Sequence, residues 1–366
     1  MKTTIKREDL LGPLQQVIGA VERRQTLPIL GNVLFKSSGG DLTLSATDLE
    51  IEMVATVVAE SEDDFQVTIP ARKLLDICKA LPESSIIKFT IEDTRVSLTS
   101  GRSRFTLATL PASDFPSLDE IQVQQSFQLP QKLFKALFDK TSFAMAQQDV
   151  RYYLNGILME ISPASIKLVA TDGHRLALSE VTMESGATEE RQIIVPRKAV
   201  LELSRLLDGS DTPVNCELSQ NHLRVETGSL VFTTKLIDGK FPDYQRVIPV
   251  DGNKTLQVAR DTLKQAMSRI AILSNEKYRG IRLALSDGNL SIQANNPDQE
   301  EAEEELQVEY SEADMEIGFN VTYLIDVLNV LGSDKVQIKL KDSNSSAIMS
   351  DSEDESSLYV VMPMRL

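Results

Sequence analysis

The sequence predicts an α+β chain made of three tandem, diverged copies of one module of about 124 residues. Three observations predict it. Three amphipathic segments introduced by a turn-type residue line up: Val67 to Leu81, Gln192 to Leu207 and Ile317 to Leu331. Pro70, Pro196 and Asn320 occupy the same place in them, 126 and 124 residues apart. Gly31, Gly156 and Gly280 recur at 125 and 124, and Ala46-Thr47-Asp48, Ala170-Thr171-Asp172 and Ala294-Asn295-Asn296 recur at 124 and 124. Between the helical segments stand runs that alternate apolar with polar residues, the mark of half-buried strands. Landmarks that repeat in one order at one period signify tandem repeats.

Each module opens with helical spacing, from Leu10, Leu133 and Leu263 onward. In the second copy Leu133, Phe134, Leu137 and Phe138 form one apolar face. Pro13 limits the first helix to starting near it or kinking there. Strands follow: Leu42, Leu44 and Ala46 alternate with polar residues, as do Ile51, Met53, Ala55 and Val57. Asp48, Asp172 and Asn296 read as hairpin turns. In the second helix Pro70 or Pro196 fits a first turn. More strands come next, such as IIKFTIED, RVSLTSG and SRFTLATL. Segments that share Phe-Pro (Thr109 to Leu118, Lys235 to Tyr244) close the first two copies, and polar linkers place the boundaries at 1–124, 125–252 and 253–366.

Composition narrows the function. The 42% hydrophobic and 25% charged residues are those of a globular protein. No run of about 18 apolar residues could span a membrane, and MKTTIKREDLLGPLQQ lacks the apolar core of a signal peptide, so a cytoplasmic location is expected. Cys78 and Cys216 suit the core of a reduced protein. With only His174 and His222, a histidine metal site is not expected, and the phosphate-loop, dinucleotide, GxSxG and HExxH signatures are missing. Neither an enzyme nor a cofactor is therefore expected. Asp172, His174 and Arg175 tempt a hydrolase or transferase reading, but no nucleophile accompanies them. A three-domain scaffold without DNA is the other alternative. The acidic run Glu300 to Glu305 reads as a solvated face or a partner for a basic patch, and Asp342 to Ser357 as a loop.

The net charge of −16 argues against a nucleic-acid binder that works by total charge. Its distribution says more. The six helical segments together carry +8, so the remainder carries −24. Arg24, Arg72, Lys73, Arg197, Lys198, Arg205 and Lys264 could hold a polyanion against one face by sequence-blind phosphate contacts, while the rest repels it.

TLPILGN, GRSRFTLATLPASDFP, QDVRYYLNGIL, ATDGHRLAL, KLIDGKFPDYQRV, ILSNEKYRG, ANNPDQEEAEEE and the terminal YVVMPMRL closely resemble the bacterial DNA sliding clamps, the β subunits of the replicative polymerase III. The resemblance runs essentially from end to end. It implies a clamp module repeated three times, a head-to-tail homodimer closing as a six-module ring, helices lining the hole, and double-stranded DNA held topologically. It implies as partners the replicative polymerase catalytic subunit, an ATP-driven clamp loader and other proteins with a clamp-binding motif.

Three surfaces carry over by resemblance. A partner-peptide pocket would be formed by Leu154, Thr171, Gly173, His174, Arg175, Leu176, Pro242, Arg246, Val247, Asn320, Tyr323, Ser346, Val360, Met362, Pro363, Met364 and Arg365. In a dimer contact, Phe105 and Leu107 would face Ile272 and Leu273, and Lys73, Arg95, Arg102 and Arg104 would meet Asp298, Glu300, Glu301, Glu303 and Glu304. DNA would meet Arg24, Arg72, Gln148, Arg151, Tyr152, Tyr153, Arg197 and Lys198, with the two tyrosines able to stack on a base. Gly12 and Gln147 depart from the lysine and histidine familiar in the family.

Overall fold

The computed structural model describes residues 1–22, 27–61, 63–118 and 121–365. The first repeat supplies β1 (Lys2–Lys6), α1 (Arg7–Val17), β2 (Asn32–Ser38), β3 (Asp41–Thr47), β4 (Ile51–Val57), β5 (Phe65–Pro70), α2 (Ala71–Ala80), β6 (Ile86–Glu92), β7 (Arg95–Ser100) and β8 (Ser103–Ala108). The second supplies β9 (Gln125–Pro130), α3 (Gln131–Thr141), β10 (Gly156–Ile161), β11 (Ser165–Thr171), β12 (Arg175–Thr182), β13 (Arg191–Pro196), α4 (Arg197–Leu206), β14 (Pro213–Leu218), β15 (His222–Thr227) and β16 (Leu230–Lys235). The third supplies β17 (Lys254–Ala259), α5 (Arg260–Ile270), β18 (Gly280–Ser286), β19 (Asn289–Asn295), β20 (Glu301–Gln307), β21 (Met315–Asn320), α6 (Val321–Val330), β22 (Lys335–Leu340), β23 (Ala347–Asp351) and β24 (Ser357–Val361). The same order of elements runs three times.

The chain forms two compact units, 1–132 with 205–236 and 133–204 with 237–366. The division runs through the middle repeat because its strands are shared out between two sheets. In the first unit an eight-stranded antiparallel sheet has the order β9-β14-β15-β16-β4-β3-β2-β5, and a second sheet runs β1-β6-β7-β8 with the two-residue strand Glu60–Ser61 on its outer side. In the second unit the eight-stranded sheet is β13-β10-β11-β12-β24-β23-β22-β17, beside a four-stranded sheet β20-β19-β18-β21. Each large sheet joins half of one repeat to half of the next, through β16–β4 in one unit and β24–β12 in the other.

The helices follow from their apolar spacing. Ala71, Leu74, Leu75 and Cys78 are buried along α2, and Leu263, Ala266, Met267 and Ile270 along α5, which is the i, i+3, i+4, i+7 stripe. Strands alternate as their sequences do: Ile51, Met53, Ala55 and Val57 of β4 are all buried.

Several expectations need correction. Every repeat begins with a strand ahead of its first helix, and the alternation that marks it (Thr3 and Ile5, Phe127 and Leu129, Leu256 and Val258, all buried) was present in the sequence. Helix α1 starts at Arg7 and runs through Pro13 rather than starting near it. Pro70 and Pro196 end strands and stand immediately before their helices rather than in the first turn. A proline there keeps its extended backbone (Pro70 φ −55°, ψ 106°). Strand register sets Asn32 opposite Pro70, Gly156 opposite Pro196 and Gly280 opposite Asn320, so Asn32, not Gly31, is the counterpart of the two glycines. Asp342 to Ser357 is not a single loop: β23 forms inside it around Ala347, Ile348 and Met349, and Asp351 Oδ2 accepts the N–H groups of Gly332 and Ser333.

Candidate partner groove and free sheet edges

The three repeats differ on one face of their sheets. Register aligns Leu34, Ser45, Glu52 and Thr68 in the first repeat with Leu158, Val169, Leu176 and Ile194 in the second and Arg282, Gln293, Glu301 and Gly318 in the third. Only the second set is wholly apolar. On it pack Leu154, Val360, and Phe241 and Tyr244 from the segment after β16, forming one buried cluster. Tyr244 donates its hydroxyl to Glu160 at 2.9 Å, and burial together with that carboxylate pushes the phenol far above its usual range.

Three walls rise from this floor. One is the β11–β12 turn. Asp172 Oδ1 accepts the N–H groups of His174 and Arg175, and Thr171 Oγ1 donates to the Arg175 carbonyl and accepts from Gly173. Gly173 sits at φ +89° against the Arg151 guanidinium, so a side chain there would be strained as well as crowded. The second wall is the start of α6, where Asn320 caps the helix by accepting the Thr322 N–H at 2.9 Å, and where the Tyr323 ring lies 6.4 Å from that of His174. The third is the C-terminal strap: Met362 N–H donates to the His174 carbonyl and Met364 N–H to that of Gly318. Val247 and Met362 stand 54% and 46% exposed, Pro242, Arg246 and Arg365 are exposed, and Ser346, Pro363 and Met364 are half-buried.

The pocket residues expected from resemblance therefore gather in one unit, but not in one role. Leu154, Leu176 and Val360 are floor. Arg175 is a strut: its side chain is only 11% exposed, and it is held by Asp172, by Asp326 at 2.5 Å and by the Phe143 carbonyl at 2.7 Å, lying 4.5 Å from the Tyr323 ring centroid. Asp326 and Phe143 escaped the sequence reading because nothing local marks them. Tyr278 is 56% exposed, and the carbonyl of the next residue, Arg279, accepts the N–H of Val321 at the start of α6.

The expected DNA-facing residues are scattered along the chain, and Arg24 lies outside the described residues. Arg72 is exposed on α2, and Arg197 and Lys198 are half-buried at the start of α4. The loop before β10 is strongly exposed: Val150 at 96% and Tyr152 at 57%, with Gln148 at φ +57°. Arg151 grips Asp149 through two nitrogens, which holds that carboxyl at about 2. Tyr153 is half-buried against the apolar cluster. Tyr152 therefore does not belong to a buried hairpin.

Each of the four sheets ends in strands paired on one side only, and β8 and β20 are two of these edges among the described residues. Phe105 and Leu107 on β8 are half-buried rather than core, with Arg95, Arg102 and Arg104 exposed around them and Lys73 exposed on α2. Ile272 is 76% exposed and Leu273 half-buried, just past α5. Asp298 and Glu300 are exposed just before β20 and Glu301 at its start, whereas Glu304 already pairs with Arg269 and Glu303 accepts from Ser291 and Gln293.

Comparison with known proteins agrees along the whole chain. The descriptions of the DNA polymerase III beta subunit match in order: N-terminal domain over 1–119, central domain over 128–243 and C-terminal domain over 245–365. The chain belongs to the DNA polymerase III beta subunit family. The beta sliding clamps of Pseudomonas aeruginosa and Escherichia coli are 55% and 52% identical to it, with 100% of each chain covered. The crystal structure of the P. aeruginosa sliding clamp with ligand has a TM-score of 0.97 at 54% identity, and that of Caulobacter crescentus pol III beta 0.95 at 38%, both covering 100% of each chain. A P. aeruginosa clamp bound to griselimycin scores 0.96 at 55% identity, again with 100% coverage of both. Beta subunits are processivity factors without catalysis, so this chain is a sliding clamp and not an enzyme. Its Asp172 carboxylate binds the backbone of its own turn and Arg175.

Proposed function

We propose that two copies of this chain close head to tail into a ring of six modules around duplex DNA, the modules being 1–124, 125–252 and 253–366. The ring tethers the replicative polymerase and other partners, which dock short peptides in the groove over Leu176 and Val360, and it works in the cytoplasm after an ATP-driven loader opens it. No helix of the described residues is long and apolar enough to cross a membrane.

The observation that carries this reading is the one inter-repeat joint that the chain does not make with itself. Strands β4, β12 and β20 are counterparts, as are β8, β16 and β24; two of the three possible joints are made inside the chain, which leaves β20 and β8. A β20–β8 joint within a second copy repeats the same geometry, and C2 symmetry closes it. Internal register predicts its details. Phe232 stands opposite Met53 and Tyr359 opposite Ala177, so Phe105 comes opposite Ala302 and Arg104 opposite Glu303. Inside the chain Phe143 packs on Tyr359 with ring centroids 5.9 Å apart. The residue at the place of Phe143, one turn past the opening helix, is Ile272, and the counterpart of Tyr359 is Phe105. Burying each apolar side chain contributes about 1.5–3 kcal/mol, whereas an exposed ion pair contributes about 0.2–1 kcal/mol. The apolar contact therefore closes the ring, and the charges set its register.

Weak phosphate contacts from Arg24, Arg72, Arg197, Lys198 and the Gln148–Tyr153 loop suit sliding, since retention comes from closure. Light scattering at micromolar concentration tests the ring. Two chains of 40.6 kDa give roughly 81 kDa, and Ile272→Arg should yield the monomer. A wild-type monomer or trimer would overturn the ring.

A further inference from the structure

We propose that Asp326 is a positioning residue for the partner groove: through Arg175 it holds the β11–β12 turn and α6 at the spacing a peptide needs. The inference rests on the groove being the partner site.

Asp326 lies one turn beyond Tyr323 on α6, outside the set of groove residues. Its Oδ2 accepts from one terminal nitrogen of Arg175 at 2.5 Å, while Asp172 accepts from Nε at 3.0 Å and the Phe143 carbonyl from the other terminal nitrogen at 2.7 Å. The guanidinium carbon lies over two rings, 4.5 Å from the Tyr323 centroid and 5.3 Å from that of Phe143. A planar fork with three acceptors and two ring contacts has one available geometry. That geometry ties together two walls, and the third hangs from them, because Met362 N–H is held by the His174 carbonyl next to Arg175. The side chains are 11% and 29% exposed, so water competes little for the pair.

The strut is not needed to join two repeats. The β16–β4 joint pairs five residues with five, as the β24–β12 joint does, yet Ile51 occupies the place of Arg175 there. What distinguishes the second joint is the apolar floor beneath it. The ionic network therefore serves the groove.

The test uses the full-length dimer and fluorescently labelled griselimycin, the compound bound to the P. aeruginosa clamp, in equilibrium and stopped-flow titrations. Asp326→Asn should weaken binding roughly tenfold, mainly through faster dissociation, with mass and melting temperature unchanged. Asp326→Glu should restore most of the loss, which a general packing defect would not allow. Val247→Asp and Met362→Asp report on the groove itself. If these two lose binding and Asp326→Asn keeps it, the positioning role is wrong. If neither affects binding, the groove assignment fails instead. An Asp326→Asn protein that melts early or leaves the dimer makes Asp326 a residue of the fold and overturns the proposal too.

Discussion

Single residues explain why three similar repeats do different things. At one outer-face position the chain carries Glu52, Leu176 and Glu301. Leucine joins the apolar cluster with Leu154 and Val360, whereas glutamate must find partners. Glu52 accepts the Leu118 N–H and lies near Arg224, yet burial still raises its carboxyl above the ordinary value. A raised acid contributes stability that is fully present below its unfolded value, near pH 4.3, and lost as pH rises through the folded one. Glu52→Gln keeps an acceptor oxygen and removes the charge. It should unfold at higher urea than wild type at pH 7.5, with the gap closing towards pH 4. An equal gap at both pH values would mean that the charge is not the cause. Asp172 and Arg175 teach the same lesson from the sequence side. Their turn was legible from composition, but the commitment of both side chains to structure was not, because Asp326 and Phe143 arrive from 151 and 32 residues away.

At the scale of elements, edges matter more than strands. An unpaired edge invites another chain, and β8 and β20 meet that risk with opposite charges: Arg104 on one and Arg102 just before it, Glu301, Glu303 and Glu305 on the other. Like edges repel and unlike edges join, which favours a closed ring over random stacking. If the internal register extends across the joint, a chain carrying Arg104→Cys and Glu303→Cys should form a doubly cross-linked dimer under mild oxidation, and Arg104→Cys with Glu301→Cys should not. Equal yields would show that the register slips. Arg269 already holds Glu304 within its own repeat, so that acid is less available to the joint than the charge pattern alone suggests.

The whole molecule resolves the paradox of an acidic chain that works on DNA. With a net charge of −16, affinity alone would fail as salt rises, because each phosphate contact carries its own salt dependence. Topology has no such dependence. Protein loaded on nicked circular DNA should stay through a wash at several hundred millimolar salt and leave within minutes once the circle is cut. Release from intact circles at that salt would mean that ion pairs, not closure, retain it.

Much was legible in the sequence because the repeat made each landmark testable against two others. The α+β class, the hairpin turns, the apolar helix stripes and the buried cysteines depend on local alternation and periodicity, which neighbouring residues alone express. The free edges, the shared eight-stranded sheets and the Arg175 strut depend on which strands meet across a hundred or more residues. Local pattern states that a strand has two faces; only the folded chain decides which of its edges is left without a partner.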